Sequence, residues 1–250
     1  MRNSKKLILL VFSCLLTVQS SCSKEESTSE PSSPSERLFL ATKNTPYNPF
    51  TGTGGLKNYF LVLLPDGTAY NGLPRQNTLG LLTRAELIQE NSLRVGEYEE
   101  NGNQLVIKWT FNQNKVWTLE KESGGWRQNS TKKYEPISPN VASGTLDATY
   151  VFEHTGASGF PGIGSNTLGV RDEIKFNRDG TYARTIIAGA SSDGGVGTNG
   201  SIDAGTYTIE GYALRLDSNQ GTTLSFTIFK WPGEESTVLA LNGKRFQKIQ

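Results

Sequence analysis

The chain has 250 residues, with 25 basic and 24 acidic side chains, one histidine and two cysteines. This balance argues against a nucleic-acid-binding protein, which usually carries a basic excess on one face. The 27 glycines, together with aromatic residues spread between short apolar runs, favour an all-β protein.

The first predicted element is the short apolar segment 7–16, which follows three basic residues. At about ten residues, it is shorter than the roughly 20 that cross a bilayer. A basic start followed by a short apolar core is typical of a secretory signal peptide. Two serines then lead directly to Cys22.

This arrangement around Cys22 resembles the signal of bacterial lipoproteins, in which the cysteine is acylated and becomes the first residue. The resemblance implies a cleaved signal peptide, 1–21, and attachment to a membrane through acyl chains such as palmitate. Cys14 is a rival cleavage point, but it would leave an apolar core of only about seven residues. Cleavage before Cys22 leaves one cysteine and no disulfide, so stability must come from a hydrophobic core.

The charged residues Lys24, Glu25 and Glu26 follow Cys22 almost at once. They resemble the acidic export signal of Bacteroidetes-type lipoproteins, which implies a place on the outer face of the outer membrane. Alternatively, they simply begin a solvated linker. The segment 27–36 contains no apolar residue and cannot offset its ordering entropy. We therefore predict that 22–36 is a lipidated, disordered stalk.

The body of the chain contains three short blocks twice, in the same order. They are Asp-Gly-Thr at 66–68 and 179–181, Gly-x-Tyr at 96–98 and 205–207, and a basic-basic-aromatic block at 132–134 and 244–246. The offsets are nearly equal, at 113 (179 − 66), 109 (205 − 96) and 112 (244 − 132) residues. This regularity predicts an internal duplication.

Each copy has the pattern of an antiparallel meander. Asp-Gly between apolar runs predicts a tight hairpin, because glycine accepts the positive φ of the turn. Leu105, Ile107 and Trp109 alternate with polar residues, which is typical of a strand with one buried face. A meander of roughly seven or eight strands removes its exposed edges most easily by closing into a barrel.

The predicted organisation is therefore two related barrel-like domains, 37–138 and 143–250, behind the stalk. In outline they resemble the small lipocalin-like barrels of bacterial lipoproteins, and that resemblance implies a ligand pocket. The sequence leaves open a second arrangement, in which the two copies are halves of one larger sheet. Thr83 and Glu86 have the spacing of a capping box and predict one helix in the first copy. The second copy has instead a predicted loop at 188–204.

Few residues suggest catalysis or metal binding. Gly195 to Gly200 match the Gly-x-Gly-x-x-Gly pattern of dinucleotide sites, but no helix is predicted after them, so we interpret them as part of a mobile loop. His154 is predicted to lie at the surface, near a strand end. Asp193 and Asp203 lack the alternating acidic spacing of a calcium loop. We predict no catalytic residue, no metal site and no cofactor.

Tryptophans are the best candidates for binding, since they stack on sugars and line pockets. Trp109 shares a face with two aliphatic residues and is predicted to lie in the core. Trp126, flanked by glycines, and Trp231, before a proline, are predicted to be exposed and to form the ligand site. The segment 71–75 has no counterpart in the second copy, and is either a binding loop or a turn.

We expect a non-enzymatic lipoprotein that binds at the outer-membrane surface and is held to the membrane by its lipid. Its expected partner is a carbohydrate, a small apolar ligand or an envelope protein, and not a nucleic acid. One alternative is a lipocalin-like carrier of a small apolar ligand. Another is a polysaccharide hydrolase that uses two carboxylates about 5 to 9 Å apart.

Overall fold

The computed structural model describes residues 36–48, 53–75, 78–80, 82–110, 115–130, 132–158, 166–192 and 195–249. Within these ranges the chain forms strands almost throughout, and the strands close into two separate antiparallel barrels of eight strands each. The prediction of two barrel-like all-β domains is confirmed, and the alternative of one larger sheet is wrong. The predicted signal peptide, Cys22, the export signal at 24–26 and most of the stalk lie outside the described residues.

The first barrel comprises β1 (Arg37–Asn48), β2 (Thr53–Leu63), β3 (Thr68–Asn71), β4 (Val95–Asn101), β5 (Gln104–Trp109), β6 (Val116–Glu122), β7 (Gly125–Asn129) and β8 (Lys132–Ile137). Each strand pairs with the next, and β8 closes the barrel against β1. Between β3 and β4 lie helix α1 (Arg84–Asn91) and a 3₁₀ turn, Ser92–Arg94. The predicted capping box is confirmed, because the side chain of Thr83 accepts from the Glu86 N–H and Glu86 reaches back to the Thr83 N–H.

The second barrel comprises β9 (Ala148–Ser158), β10 (Asn166–Phe176), β11 (Thr181–Ser192), β12 (Gly195–Glu210), β13 (Ala213–Ser218), β14 (Thr223–Lys230), β15 (Val238–Leu241) and β16 (Lys244–Lys248). Its closing contact is between β16 and β9. The predicted loop at 188–204 is wrong, since β11 and β12 pair continuously from Thr181 opposite Thr206 to Ser192 opposite Gly195. Only two residues, Asp-Gly in the sequence, separate these strands, which is the composition that favours a two-residue hairpin.

The two Asp-Gly turns have the same geometry. The carboxylate of Asp66 accepts from the N–H of Thr68 at 2.9 Å, and that of Asp179 accepts from the N–H of Thr181 at 3.0 Å. The glycines that follow the two aspartates have φ of +85° and +84°. The turn conformation is therefore available to glycine in both copies and strained for other residues.

The Gly-x-Tyr blocks connect each of these turns to the next strand. The hydroxyl of Tyr98 donates to the carbonyl of Leu64 at 2.8 Å, and that of Tyr207 donates to the carbonyl of Asn177 at 3.0 Å. In each copy this carbonyl belongs to the residue that opens the turn. The predicted internal duplication is thus present in side-chain hydrogen bonds as well as in strand order.

Each barrel has its own packed interior. In the first it is formed by Phe39, Ala41, Leu61, Leu63, Ala69, Leu105, Ile107, Trp109, Leu119, Trp126 and Tyr134. In the second it is formed by Val141, Leu146, Ala148, Tyr150, Ile174, Phe176, Tyr182, Tyr207, Leu214, Leu216, Ile228, Leu239, Leu241 and Phe246. Side chains on successive strand residues point to opposite faces, so these sets occupy alternate positions.

A third cluster, the shared core, joins the outer surfaces of the two barrels. Its members are Leu38, Leu40, Val62, Leu64, Tyr70, Leu79, Leu87, Val95 and Ile137 from the first copy, and Tyr212, Phe229, Trp231, Val238 and Ala240 from the second. Across it the Tyr212 hydroxyl donates to the carbonyl of Ile137, and the Leu79 N–H donates to Thr227 Oγ1 at 3.3 Å. Strands β1 and β2 are therefore buried on both faces, and the two barrels pack side by side.

None of the helices in the described ranges is both long and apolar enough to span a bilayer.

Candidate functional site at the open end of the first barrel

The hairpin of β1 and β2 continues beyond the packed interior of the first barrel. Ala41 and Tyr59 are paired and face inward, and two residues further along the inward-facing pair is Lys43 and Lys57. Period two places each lysine on the same face as the core residue before it. Two ammonium groups therefore stand at this end of the barrel, directly opposite each other on neighbouring strands.

Lys115 and Lys132 complete a set of four, which we call the lysine rim. The Lys132 ammonium lies 3.8 Å from the ring centre of Tyr59, and that of Lys115 lies 5.8 Å from the ring centre of Trp117. The pKa of Lys132 is lowered by burial and, to a smaller degree, by the charges of Lys43 and Lys115. None of the four forms an ion pair with any carboxylate in the described ranges.

Aromatic side chains form the floor beneath the rim. Trp109 and Trp117 pack edge to face with ring centres 4.8 Å apart. Both the indole N–H of Trp109 and the hydroxyl of Tyr134 are buried and find no hydrogen-bond partner among the described residues. Trp109 is 5% exposed and Tyr134 is 0% exposed. A buried polar group without a partner costs roughly 1 to 3 kcal/mol, so two such donors in one barrel interior require an explanation.

Both groups are suited to donate to a ligand. Burial, with a smaller contribution from Tyr59, raises the pKa of Tyr134 to about 12, so its hydroxyl stays protonated at neutral pH. An indole N–H is a donor at every pH. The arrangement therefore offers flat apolar walls, two buried donors and four positive charges. It fits a ligand with an apolar or ring face and negatively charged oxygen atoms.

In the second barrel the corresponding end is filled by its own polar side chains. Asp172, which aligns with Tyr59, accepts two hydrogen bonds from Arg184 at 2.9 and 2.7 Å. Asp203 accepts from the hydroxyls of Tyr182, at 2.7 Å, and Ser218. Hydrogen bonds from Ser218 and then Tyr182 lower the pKa of Asp203. These polar groups are hydrogen-bonded to one another. The two copies therefore differ at this end of the barrel, because the first copy has buried donors without partners.

The structure changes the interpretation of the tryptophans. Trp109 lies in the interior of the first barrel, as predicted. The predicted exposure of Trp126 is wrong, because this side chain is 4% exposed and belongs to the same interior. Its neighbour Gly125 is in a strand, where a Cβ would overlap the carbonyl oxygen of Tyr134. That glycine permits close strand packing and does not mark an exposed turn.

Trp231 was also predicted to be exposed, and this too is wrong. It is 6% exposed and lies in the shared core, with ring centres 6.1 Å from Phe229 and 6.5 Å from Phe60. The turn before Pro232 is covered by the first barrel, which a sequence pattern within one copy does not reveal. Neither Trp126 nor Trp231 lies in the floor of Trp109 and Trp117 beneath the lysine rim.

The remaining candidate residues are placed as follows. His154 is exposed as predicted but lies within β9, with its ring 6.4 Å from that of Phe152. The glycine segment 195–200 lies in β12, so its interpretation as a mobile loop is wrong. Asp193 lies outside the described residues, whereas Asp203 serves the hydrogen-bond network of the second barrel. No group of three or more His, Cys, Asp or Glu side chains able to hold a metal occurs in the described part of the chain.

The sequence does contain a signal for the lysine rim that was missed. Three rim lysines are followed two residues later by an aromatic residue, in Lys57-x-Tyr59, Lys115-x-Trp117 and Lys132-x-Tyr134. At period two, each lysine and its aromatic partner share one face of a strand. The repeated Lys-x-aromatic pattern on three strands therefore predicts one basic, aromatic end of a barrel.

Comparison with known proteins adds no relative. No protein-family model matches the chain, and neither the curated proteins nor the solved structures contain a match.

Proposed function

We propose that this chain is a non-enzymatic lipoprotein of the cell envelope that binds an acidic ligand at the end of its first barrel that carries the lysine rim. The observation that carries the proposal is the pair of unpartnered donors, Trp109 Nε1 and the Tyr134 hydroxyl, beneath four lysines without ion pairs. Buried donors without partners are rare in folded proteins. A bound anion would accept from both donors, and the lysine rim would balance its charge.

The packing of the first barrel's interior favours a ligand at the end of this barrel over a ligand in its centre. Eleven buried side chains pack together in the first barrel, including two tryptophans and two other aromatic residues. An apolar ligand of the kind lipocalin-like carriers hold would have to displace them. An acidic ligand at the rim requires only the side chains that cover the Trp109 and Tyr134 donors to move, and it uses the aromatic floor as a stacking surface.

The envelope location in this proposal rests on the amino-terminal sequence. A basic start, a short apolar core and Cys22 imply a lipid anchor, and Lys24, Glu25 and Glu26 imply export to the cell surface. The test is protease treatment of intact cells. We expect wild type to be cleaved, Cys22→Ala to be released from the membrane, and the triple alanine change at 24–26 to be protected. Cleavage of the triple variant at the wild-type rate would contradict surface export by this signal.

The binding proposal is tested with dextran sulfate, and neutral dextran serves as the matched polymer. We expect saturable binding of the sulfated polymer alone, measured by isothermal titration calorimetry on the full chain in detergent. Changing all four rim lysines to glutamine removes four ion pairs of roughly 0.2 to 1 kcal/mol each, which weakens binding about fourfold or more.

A control variant carries the same change of net charge elsewhere. It replaces four exposed lysines away from the rim, Lys121, Lys175, Lys244 and Lys248, with glutamine. We expect it to bind like wild type. An equal loss in both variants would show a general charge effect and would refute a site at the rim.

Tyr134→Phe separates binding from folding. Removing a buried hydroxyl that has no partner in the free protein leaves stability unchanged or slightly raised. If that hydroxyl donates to the ligand, affinity falls about fivefold or more because one hydrogen bond is lost. A variant that binds like wild type would show that the Tyr134 hydroxyl does not contact the ligand.

A further inference from the structure

A second site is formed by the cleft between the two barrels. This cleft has a volume of about 420 Å³, within the range of small-molecule sites. It is lined by the segment 71–75, by Arg94 and residues 58–60 of the first barrel, and by Asn242 and Gly243 of the second. The segment 71–75 has no counterpart in the second copy, so the cleft is a feature of the assembled pair.

The segment 71–75 is held in place before any ligand arrives. Glu90 of α1 accepts from the Arg75 N–H at 2.7 Å and from the Tyr70 hydroxyl at 3.2 Å. Gly72 has φ of +139°, and a Cβ there would come within 2.6 Å of an Arg94 guanidinium nitrogen. The positive φ favours glycine at this position. Such preorganisation reduces the entropy that binding would otherwise cost.

The polar groups of the cleft have a definite chemistry. Neither Arg75 nor Arg94 forms an ion pair with a carboxylate in the ranges that the structure describes. A guanidinium matches a carboxylate in a bidentate manner. Three asparagines, at 58, 71 and 242, also line the cleft. An amide both donates and accepts, which is what a sugar hydroxyl requires.

The remaining wall is apolar. Phe60 and Leu73 both approach Gly243 of the second barrel and close the seam, since a Cβ on that glycine would lie 2.9 Å from Leu73 and 3.6 Å from Phe60. One side of the cleft can therefore contact the C–H groups of a ligand, and the other side can bind its hydroxyl and carboxylate groups. A sugar ring with a carboxylate presents both kinds of surface at once.

We propose that the inter-barrel cleft is a second binding site, which takes a sugar carboxylate of the uronic acid type. The carboxylate pairs with Arg75 and Arg94, the hydroxyls bond to the asparagine amides, and the ring lies against Phe60 and Leu73. This site does not depend on the four lysines of the rim, none of which lines the cleft, although Tyr59 borders both sites. The two proposals stand or fall separately.

The test is nuclear magnetic resonance on the full chain in detergent, titrated with D-galacturonate, D-galactose and sodium sulfate. We expect galacturonate to shift the backbone signals of 71–75 and of Asn242 and Gly243 in a saturable way. D-galactose, which lacks the carboxylate, and sulfate, which lacks the ring, should each bind at least tenfold more weakly. Equal shifts from sulfate and galacturonate would show a simple anion site and overturn the sugar assignment.

Variants at Arg75 locate the site. Among the described residues the Arg75 side chain forms no ion pair, so Arg75→Gln should fold normally and bind galacturonate about tenfold or more weakly, from the loss of a charge-assisted pair. Arg75→Lys keeps the charge but loses the two-pronged guanidinium geometry, so its affinity for galacturonate should lie between those of wild type and Arg75→Gln. Arg178→Gln, at a 78% exposed side chain in the second barrel, is the matched control.

Two outcomes would refute the cleft. One is galacturonate binding that Arg75→Gln leaves unchanged, and the other is an absence of any shift at the seam up to saturating sugar. The glutamine variant of the lysine rim distinguishes the two proposals. It should lose dextran sulfate binding while keeping the galacturonate shifts of the cleft.

Discussion

The ion pair of Arg184 and Asp172 is the most enclosed among the described residues, with side chains 13% and 9% exposed. Replacing Arg184 with methionine keeps the length of the stem but leaves the Asp172 carboxylate without its partner. Breaking a buried pair in this way costs about 3 to 5 kcal/mol, because a charge remains buried and uncompensated. The variant also loses the contact of the guanidinium with the Phe226 ring, at 5.2 Å, which adds roughly 0.5 to 1 kcal/mol.

The double variant Asp172→Leu with Arg184→Met tests the reasoning more sharply. It removes both charges and leaves apolar side chains of similar volume, which in other buried pairs is neutral or stabilising. We expect the single variant to unfold at clearly lower urea concentration than wild type, and the double variant to recover most of that loss. At about 2 to 4 °C per kcal/mol for a chain of this size, the single variant should melt roughly 7 to 24 °C lower.

The assay is urea unfolding followed by tryptophan fluorescence and far-ultraviolet circular dichroism, with equal slopes required before free energies are compared. A single variant within about 1 kcal/mol of wild type would mean that water screens this pair far more than its burial implies. A double variant less stable than the single one would mean that the pair stabilises the barrel by itself. Either result would refute the argument that burying this ion pair costs more free energy than its attraction returns.

Three further predictions concern the fold. Gly205→Ala should prevent folding or cost several kcal/mol, because a Cβ would overlap the carbonyl of Asp217, whereas Gly200→Ala, 3.7 Å from the nearest atom, should be mild in thermal melts. Phe229→Ala in the shared core should cost about 3 to 5 kcal/mol and still give one unfolding transition for both barrels; two transitions would show that the barrels unfold separately. Asp203 has a folded pKa below its unfolded value, so its stabilising effect is present above the unfolded pKa near 3.8 and is lost as pH falls through the folded pKa. Asp203→Asn should therefore flatten the acid limb of a stability profile measured from pH 6 to 2, and an unchanged limb would contradict this.

The strand order and the duplication could be predicted because they depend on local chemistry. Asp-Gly turns, the Gly-x-Tyr blocks and the Thr83 cap each act within a few residues, and each is found where the sequence places it. The number of barrels was left open because closure is set by a contact between the first and last strands of each copy. No pattern within a single strand specifies that contact.

The errors concern residues whose surroundings come from distant parts of the chain. Trp126 and Trp231 have glycine or proline neighbours, which favour exposed turns, yet one is enclosed by its barrel and the other by the neighbouring barrel. The wrong prediction of a loop at 188–204 has a local cause. The high glycine content of this segment favours a loop, whereas the Asp-Gly pair between β11 and β12 favours the hairpin that forms. The lysine rim combines four strands, so its parts were visible only as a repeated Lys-x-aromatic spacing.

The shared core is made from different faces of the two copies, the outer face of β1 to β3 in one and of β14 and β15 in the other. Such a head-to-tail contact does not close on itself, and in principle a third copy could add to the second in the same way. The face that would receive it bears charges. Where the first barrel has Leu40 opposite Phe60, the second has Val151 opposite Glu173, and Arg171 bridges Glu173 and Glu153. A row of charges at this position resembles the polar cap of a repeat array, and it is unfavourable for an apolar contact like that of the shared core.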